Sequence, residues 1–134
     1  MPKCVLIADD DPVIRRLVSF SLIASDFDVV EAKDGDEALK AVRRNPVAVA
    51  ILDIQMPGND DLAVLKALKN ADATRTLPVM ILTADRDNQM VRAALTAGAA
   101  DYLVKPFDPD VLADRVARLA DGKLPEPRLR KAGA

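Results

Sequence analysis

Five short apolar runs, each followed by a longer stretch with helical spacing, constrain this chain more than anything else in it. Parallel strands cannot be joined by tight turns and need crossovers of about this length, so the alternation reads as repeated strand-helix units. The runs are Cys4–Ala8, Asp28–Glu31, Val47–Leu52, Pro78–Leu82 and Asp101–Val104. The first, third and fourth are apolar throughout, as central strands covered on both faces must be; the second and fifth alternate more and are expected at the edges. Between them, Pro12 opens a helix in which Ile14, Leu17, Val18, Ser21 and Leu22 recur at helical spacing. Asp34-Gly35-Asp36-Glu37 opens a second helix, which Asn45-Pro46 ends. The spacing predicts a third from about Asp60 to Asn70, a fourth from about Arg86 to Ala97 closed by Gly98, and a fifth from about Asp108 to Asp121 closed by Gly122. The expectation is an α/β fold of (βα)5 type, one domain over residues 1–121. Residues 122–134 carry two prolines, four basic residues and no apolar periodicity, and are expected to be a flexible tail or linker stub.

Composition narrows the chemistry. Half of the 134 residues are apolar, enough for one core, and a formal net charge of −2 argues against a basic nucleic-acid-binding surface. The expectations are no direct contact with nucleic acid and no membrane insertion, since no apolar stretch approaches spanning length. With no charged leader ahead of the first strand, a cytoplasmic location is expected. The single cysteine, Cys4, lies in an apolar run and reads as a buried thiol. There is no histidine, so phosphohistidine, His-based catalytic pairs and His-rich metal sites are excluded, and chemistry must rest on carboxylates, hydroxyls and lysine.

In an open α/β sheet, function collects at the carboxyl ends of the strands. Asp9, Asp10 and Asp11 follow the first strand, Asp53 ends the third, Thr83 and Ala84 follow the fourth, and Lys105-Pro106 follows the fifth. Carboxylates gathered there call for a hard divalent cation, with Mg2+ (or Mn2+) expected on Asp9, Asp10, Asp53 and the backbone carbonyl of Gln55. The Asp53 carboxylate can attack phosphorus to give an acyl phosphate. Lys105 and the Thr83 hydroxyl would then meet phosphoryl oxygens, with the small Ala84 leaving room. Each residue has a plainer explanation alone. The aspartates before Pro12 suit a helix N-terminus, and Asp11 is the expected cap. Thr83 could be strand-end hydrogen bonding and Lys105 a solvated charge. Four separate strand ends all supplying groups for phosphoryl chemistry is the stronger reading.

The motifs Ala8-Asp9-Asp10-Asp11-Pro12, Leu52-Asp53-Ile54-Gln55-Met56-Pro57, Leu82-Thr83-Ala84 and Tyr102-Leu103-Val104-Lys105-Pro106-Phe107 resemble those of the bacterial response-regulator receiver family, over about residues 3 to 120. Ala97-Gly98-Ala99 before the last strand fits as well. The resemblance implies a doubly wound, flavodoxin-like parallel sheet of five strands in the order 2-1-3-4-5, with two helices on one face and three on the other. It implies phosphorylation of Asp53 by a sensor histidine kinase or a histidine-phosphotransfer protein, and a cis bond between Lys105 and Pro106. It implies a switch in which Thr83 is drawn to the phosphoryl group, Tyr102 turns inward, and the face of the fourth helix, fifth strand and fifth helix changes to regulate a downstream effector protein or domain. Gln55 and Asp85 are expected to tune the lifetime of the phosphoryl group. Chemistry beyond self-phosphorylation and autodephosphorylation is not expected.

One departure is Asp61 where the family has a loop glycine, which affects the shape of the loop more than the chemistry. Asp101 and Arg115 match an ion pair of dimerising receivers, while Val91 and Val111 replace a second pair; a homodimer on that face is a possibility with more apolar contact. Two rivals remain. A haloacid-dehalogenase-type phosphatase would use Asp9 as nucleophile, and a flavodoxin-like flavin binder would need a loop without three aspartates.

Overall fold

The computed structural model describes residues 2–54, 62–84 and 88–122. The elements run β1 (Cys4–Ala8), α1 (Pro12–Ala24), β2 (Asp28–Ala32), α2 (Gly35–Arg44), β3 (Val47–Asp53), α3 (Ala63–Asn70), β4 (Val79–Thr83), α4 (Asn88–Thr96), β5 (Asp101–Val104) and α5 (Pro109–Ala120). All strand pairs are parallel and the order is β2-β1-β3-β4-β5, so β2 and β5 are the edges as their alternation suggested.

Period-two alternation divides the core. Val5 and Ile7 of β1, with Val49 and Ile51 of β3, pack against Val18 and Leu22 of α1 and Leu112 and Val116 of α5. Leu6 and Ala8, with Ala50 and Leu52, face the other way, against Ala38 of α2, Leu65 and Leu68 of α3 and Ala94 of α4. Two helices therefore cover one face and three the other.

Helix starts follow their caps. Asp11 accepts the Val13 N–H at 2.9 Å ahead of Pro12, Asp108 accepts the Asp110 N–H at 2.9 Å ahead of Pro109, and Asp34 accepts the Glu37 N–H at 2.9 Å. Gly98 follows α4 at φ +111°, where an added Cβ would stand 3.0 Å from Cγ of Lys69, so both backbone angle and space favour glycine.

Three expectations shift. β4 starts at Val79 because Pro78 has no N–H to donate; its carbonyl still accepts from Ala50 N at 3.0 Å. Leu17 is 44% exposed, while Ser19 is 5% exposed on the side of α1 that turns inward. Val13, Leu17, Phe20 and Ile23 form a second apolar stripe on the outside of α1, and a helix apolar on two faces cannot be oriented by periodicity alone. Cys4 is only half-buried; burial, then the nearby Asp28 charge, pushes its thiol pKa up. The expected starts of the third and fourth helices at Asp60 and Arg86, and the tail beyond Gly122, lie outside the described residues. Among the described residues no helix is long and apolar enough to cross a membrane.

Candidate functional site

Sheet register assembles the site. Ala8 pairs with Leu52, so Asp9 and Asp53 emerge side by side where β1 and β3 end. Asp53 pairs with Leu82 and Thr83 with Val104, which sets Thr83 and Lys105 one step further along the next two strands. The Lys105 N–H donates to the Thr83 carbonyl at 2.7 Å, extending the ladder past the last paired residue. The Lys105-Pro106 bond is cis.

Asp9 is wholly buried and fully engaged. Its N–H donates to the Ala32 carbonyl at 3.1 Å, Oδ1 accepts the Asp11 N–H at 2.9 Å, and Oδ2 accepts Nζ of Lys105 at 2.8 Å. Asp53, 3% exposed, accepts the same ammonium on Oδ2 at 3.2 Å. Burial lowers the pKa of that ammonium, but the hydrogen bond and charges of Asp9 and Asp53 outweigh it and hold Lys105 above the ordinary lysine range. Asp10 stays exposed, and one carboxylate oxygen each from Asp9, Asp10 and Asp53 lie within 4.8 Å of one another. Three carboxylates against one ammonium leave two negative charges in excess, at a spacing that suits a hard divalent cation with oxygen ligands. The donor set fits the cation that the sequence suggested.

Thr83 is 1% exposed as the last residue of β4, and Ala84 is exposed just beyond it. Tyr102 on β5 is half-buried against the three-helix core, its carbonyl accepting Nη1 of Arg115 at 3.1 Å. Arg115 also pairs with buried Asp101 at 3.6 Å, so this ion pair closes within one chain. Gln55, Asp61 and Asp85 lie outside the described residues.

Sequence reasoning missed Arg15. Its Nη1 donates to the main-chain carbonyl of Asp9 at 2.7 Å, and its Nε to Oε1 of Glu31 on β2 at 3.3 Å. The only sequence signal is an arginine one turn into the helix that follows the aspartates, which is too common to single out.

Family comparison agrees with this geometry. The response regulator receiver domain family matches residues 5–117. The chain belongs to that family.

Response regulator GtcR of Aneurinibacillus migulanus is 41% identical over 110 residues, covering 81% of this receiver and 44% of the relative. The DNA-binding response regulator MtrA of Mycolicibacterium smegmatis is 37% identical over 120 residues, covering 89% and 51%. Among solved structures, chemotaxis response regulator CheY4 of Vibrio cholerae superposes with a TM-score of 0.83 at 30% identity, over 89% of this receiver and 99% of that chain. The receiver spans about half the length of the curated relatives it matches. The expectation of no nucleic-acid contact gains no support here: the charge balance speaks for these 134 residues alone, and a similar protein is named as DNA-binding.

Proposed function

We propose that this receiver takes a phosphoryl group onto Asp53 from a histidine kinase or histidine-phosphotransfer protein and, so modified, alters its α4-β5-α5 surface to control a partner protein or domain. The observation that carries the reading is the Lys105 ammonium set between the buried carboxylates of Asp9 and Asp53 at 2.8 and 3.2 Å. A bond forms between an Asp53 carboxylate oxygen and phosphorus as the phosphorus-nitrogen bond to the donor imidazole breaks; the imidazole leaves with the electron pair and takes a proton. Lys105 is placed to neutralise phosphoryl oxygens as charge spreads over them, and Thr83 to offer its hydroxyl to one. Asp9, Asp10, Asp53 and the Gln55 carbonyl would hold Mg2+ or Mn2+, which when bound balances the charge of phosphoryl and carboxylate oxygens.

Asp9 is wholly buried with both carboxylate oxygens engaged, which disfavours a phosphatase centred there. The roles given to Ala84 (space for the phosphoryl group), Tyr102 (rotation on activation) and Gln55 and Asp85 (lifetime) belong to the same proposal, as does a domain at 1–121 followed by a tail. The outer stripe of α1, with Val13 70% and Phe20 76% exposed, starts beside Asp10 and gives a phosphodonor protein an apolar surface next to the acceptor. With Asp101 and Arg115 paired inside the chain, a homodimer through α4-β5-α5 leans on exposed Leu95 and Val111.

Acetyl phosphate with Mg2+ is expected to add one phosphoryl mass to the protein, read by intact-mass spectrometry, and Asp53→Asn to add none. Label on Asp9, or phosphate release with no adduct on Asp53, would overturn the reading.

A further inference from the structure

The acidic loop after β1 is held from behind. Asp9 has four polar main-chain and carboxylate atoms, all taken: the N–H by β2, the carboxylate oxygens by Asp11 and Lys105, and the carbonyl by Nη1 of Arg15 at 2.7 Å. The Arg15 contact differs in kind from the others. It reaches back from the first turn of α1 over that helix's own N-terminus, and the side chain is 18% exposed. The same guanidinium spends its Nε on Glu31, a residue of the edge strand whose register partner is Ile7, two residues before Asp9. A planar fork with fixed donor directions, bonded to two strands' worth of backbone and side chain, fixes position in a way that a flexible ammonium cannot.

Arg15 adds a second cation near a cluster that needs positive charge, and Glu31 partly cancels it. If Arg15 acted through charge, it would compete with a divalent cation, and its removal would tighten cation binding. If it acts through geometry, its removal lets the Asp9-Asp10-Asp11 loop relax and separates carboxylates that must converge.

We propose that Arg15, oriented by Glu31, is a positioning residue for the cation site: it pins the Asp9 carbonyl so that the carboxylates of Asp9 and Asp10 converge with that of Asp53. This rests on the reading of Asp9, Asp10 and Asp53 as a divalent-cation site, and deepens it by naming what holds the site open to metal from outside the ligand set. Residues behind the ligands typically set metal affinity by roughly 10-fold or more.

The test is Mn2+ binding to the whole chain, read from the electron paramagnetic resonance signal of free Mn2+, with far-UV circular dichroism confirming that each variant is folded at the assay temperature. Arg15→Met keeps length without charge or donors, and Arg15→Lys keeps charge without the fork. Both are expected to bind Mn2+ roughly 10-fold more weakly than wild type. Glu31→Ala, which removes the oxygen that Nε donates to, is expected to weaken binding in the same direction, and wild-type affinity there would remove Glu31 from the arrangement. Tighter binding by Arg15→Met, or wild-type affinity in Arg15→Lys, overturns the positioning role. If the wild type itself takes up no Mn2+, or Asp53→Asn binds it equally well, the cation site is wrong, a failure distinguishable from that of the Arg15 proposal.

Discussion

Replacing Asp53 with Asn removes one buried carboxylate and keeps its shape, and the distances in the site give the sign of the result. Without a divalent cation, attraction to Lys105 at 3.2 Å contributes about 5 kcal/mol at an effective dielectric of about 20. Repulsion from Asp9, within 4.8 Å, costs at least about 3.5 kcal/mol on the same basis. Asp10 is exposed, and water screens its repulsion to about 1 kcal/mol. These terms nearly cancel, so desolvation of a carboxylate that is 3% exposed decides the balance, at several kcal/mol per ion. Asparagine avoids most of that cost and still accepts from Lys105, a hydrogen bond worth about 1 kcal/mol. Asp53→Asn is therefore expected to be more stable than wild type in EDTA by about 2 kcal/mol, a rise in Tm of roughly 6–10 °C for a domain of this size. Thermal melts by far-UV circular dichroism, in EDTA and in Mg2+, read both the gain and its partial loss, because the cation stabilises the wild type more than the variant. A variant less stable than wild type in EDTA by about 1 kcal/mol or more would refute the reasoning, since the carboxylate would then serve the fold.

Lys105→Met leaves two buried carboxylates without their cation and is expected to cost about 3 kcal/mol in EDTA, partly restored by Mg2+; an unchanged melt in EDTA would count against the ion-pair geometry. Thr83→Ala should still gain the phosphoryl mass but lose the change in hydrogen exchange over α4, β5 and α5 that phosphorylation brings, and a persisting change would remove Thr83 from the switch. Cys4 should react with iodoacetamide at pH 8 more slowly than a cysteine in the urea-unfolded chain, because burial and then Asp28 hold its folded pKa above the unfolded one. By the same sign its contribution to stability is present below the ordinary thiol pKa and fades as pH rises through the folded value, so Cys4→Ser should flatten the alkaline loss of stability.

Strand positions were legible because Val5, Leu6 and Ile7, or Met80, Ile81 and Leu82, are apolar on both faces, and only a central parallel strand asks for that. The aspartates, Asp53, Thr83 and Lys105 were legible because they break those runs at the same end. What the sequence could not show was reach. Nothing in the spacing of Asp9 and Arg15 says that a side chain doubles back to its own loop's carbonyl, or that its free edge finds Glu31 on another strand. Leu17 was misplaced for a related reason: α1 is apolar on two sides, and the packing of α5, not periodicity, chooses which side faces in.

Main-chain hydrogen bonds lead from the strand end at Asp53 across β4 to β5. Ile54 N–H donates to the Leu82 carbonyl at 3.2 Å and Lys105 N–H to that of Thr83 at 2.7 Å, so β3, β4 and β5 are stitched together immediately around the charge cluster. Rigid backbone of this kind transmits force but holds no second state. The other end is also fixed, because Arg115 ties α5 to both the Tyr102 carbonyl and the Asp101 carboxylate, neither of which depends on the charge at Asp53. Lying between two sites does not couple them; an element with two arrangements that both sites bias does. Of the groups on this path, the Tyr102 side chain is half-buried and packs against the three-helix core, so a change of its position would be felt by α4 and the sheet together. It is the residue we propose for that role, and Tyr102→Leu should then uncouple phosphorylation from the change in hydrogen exchange while leaving the added mass intact.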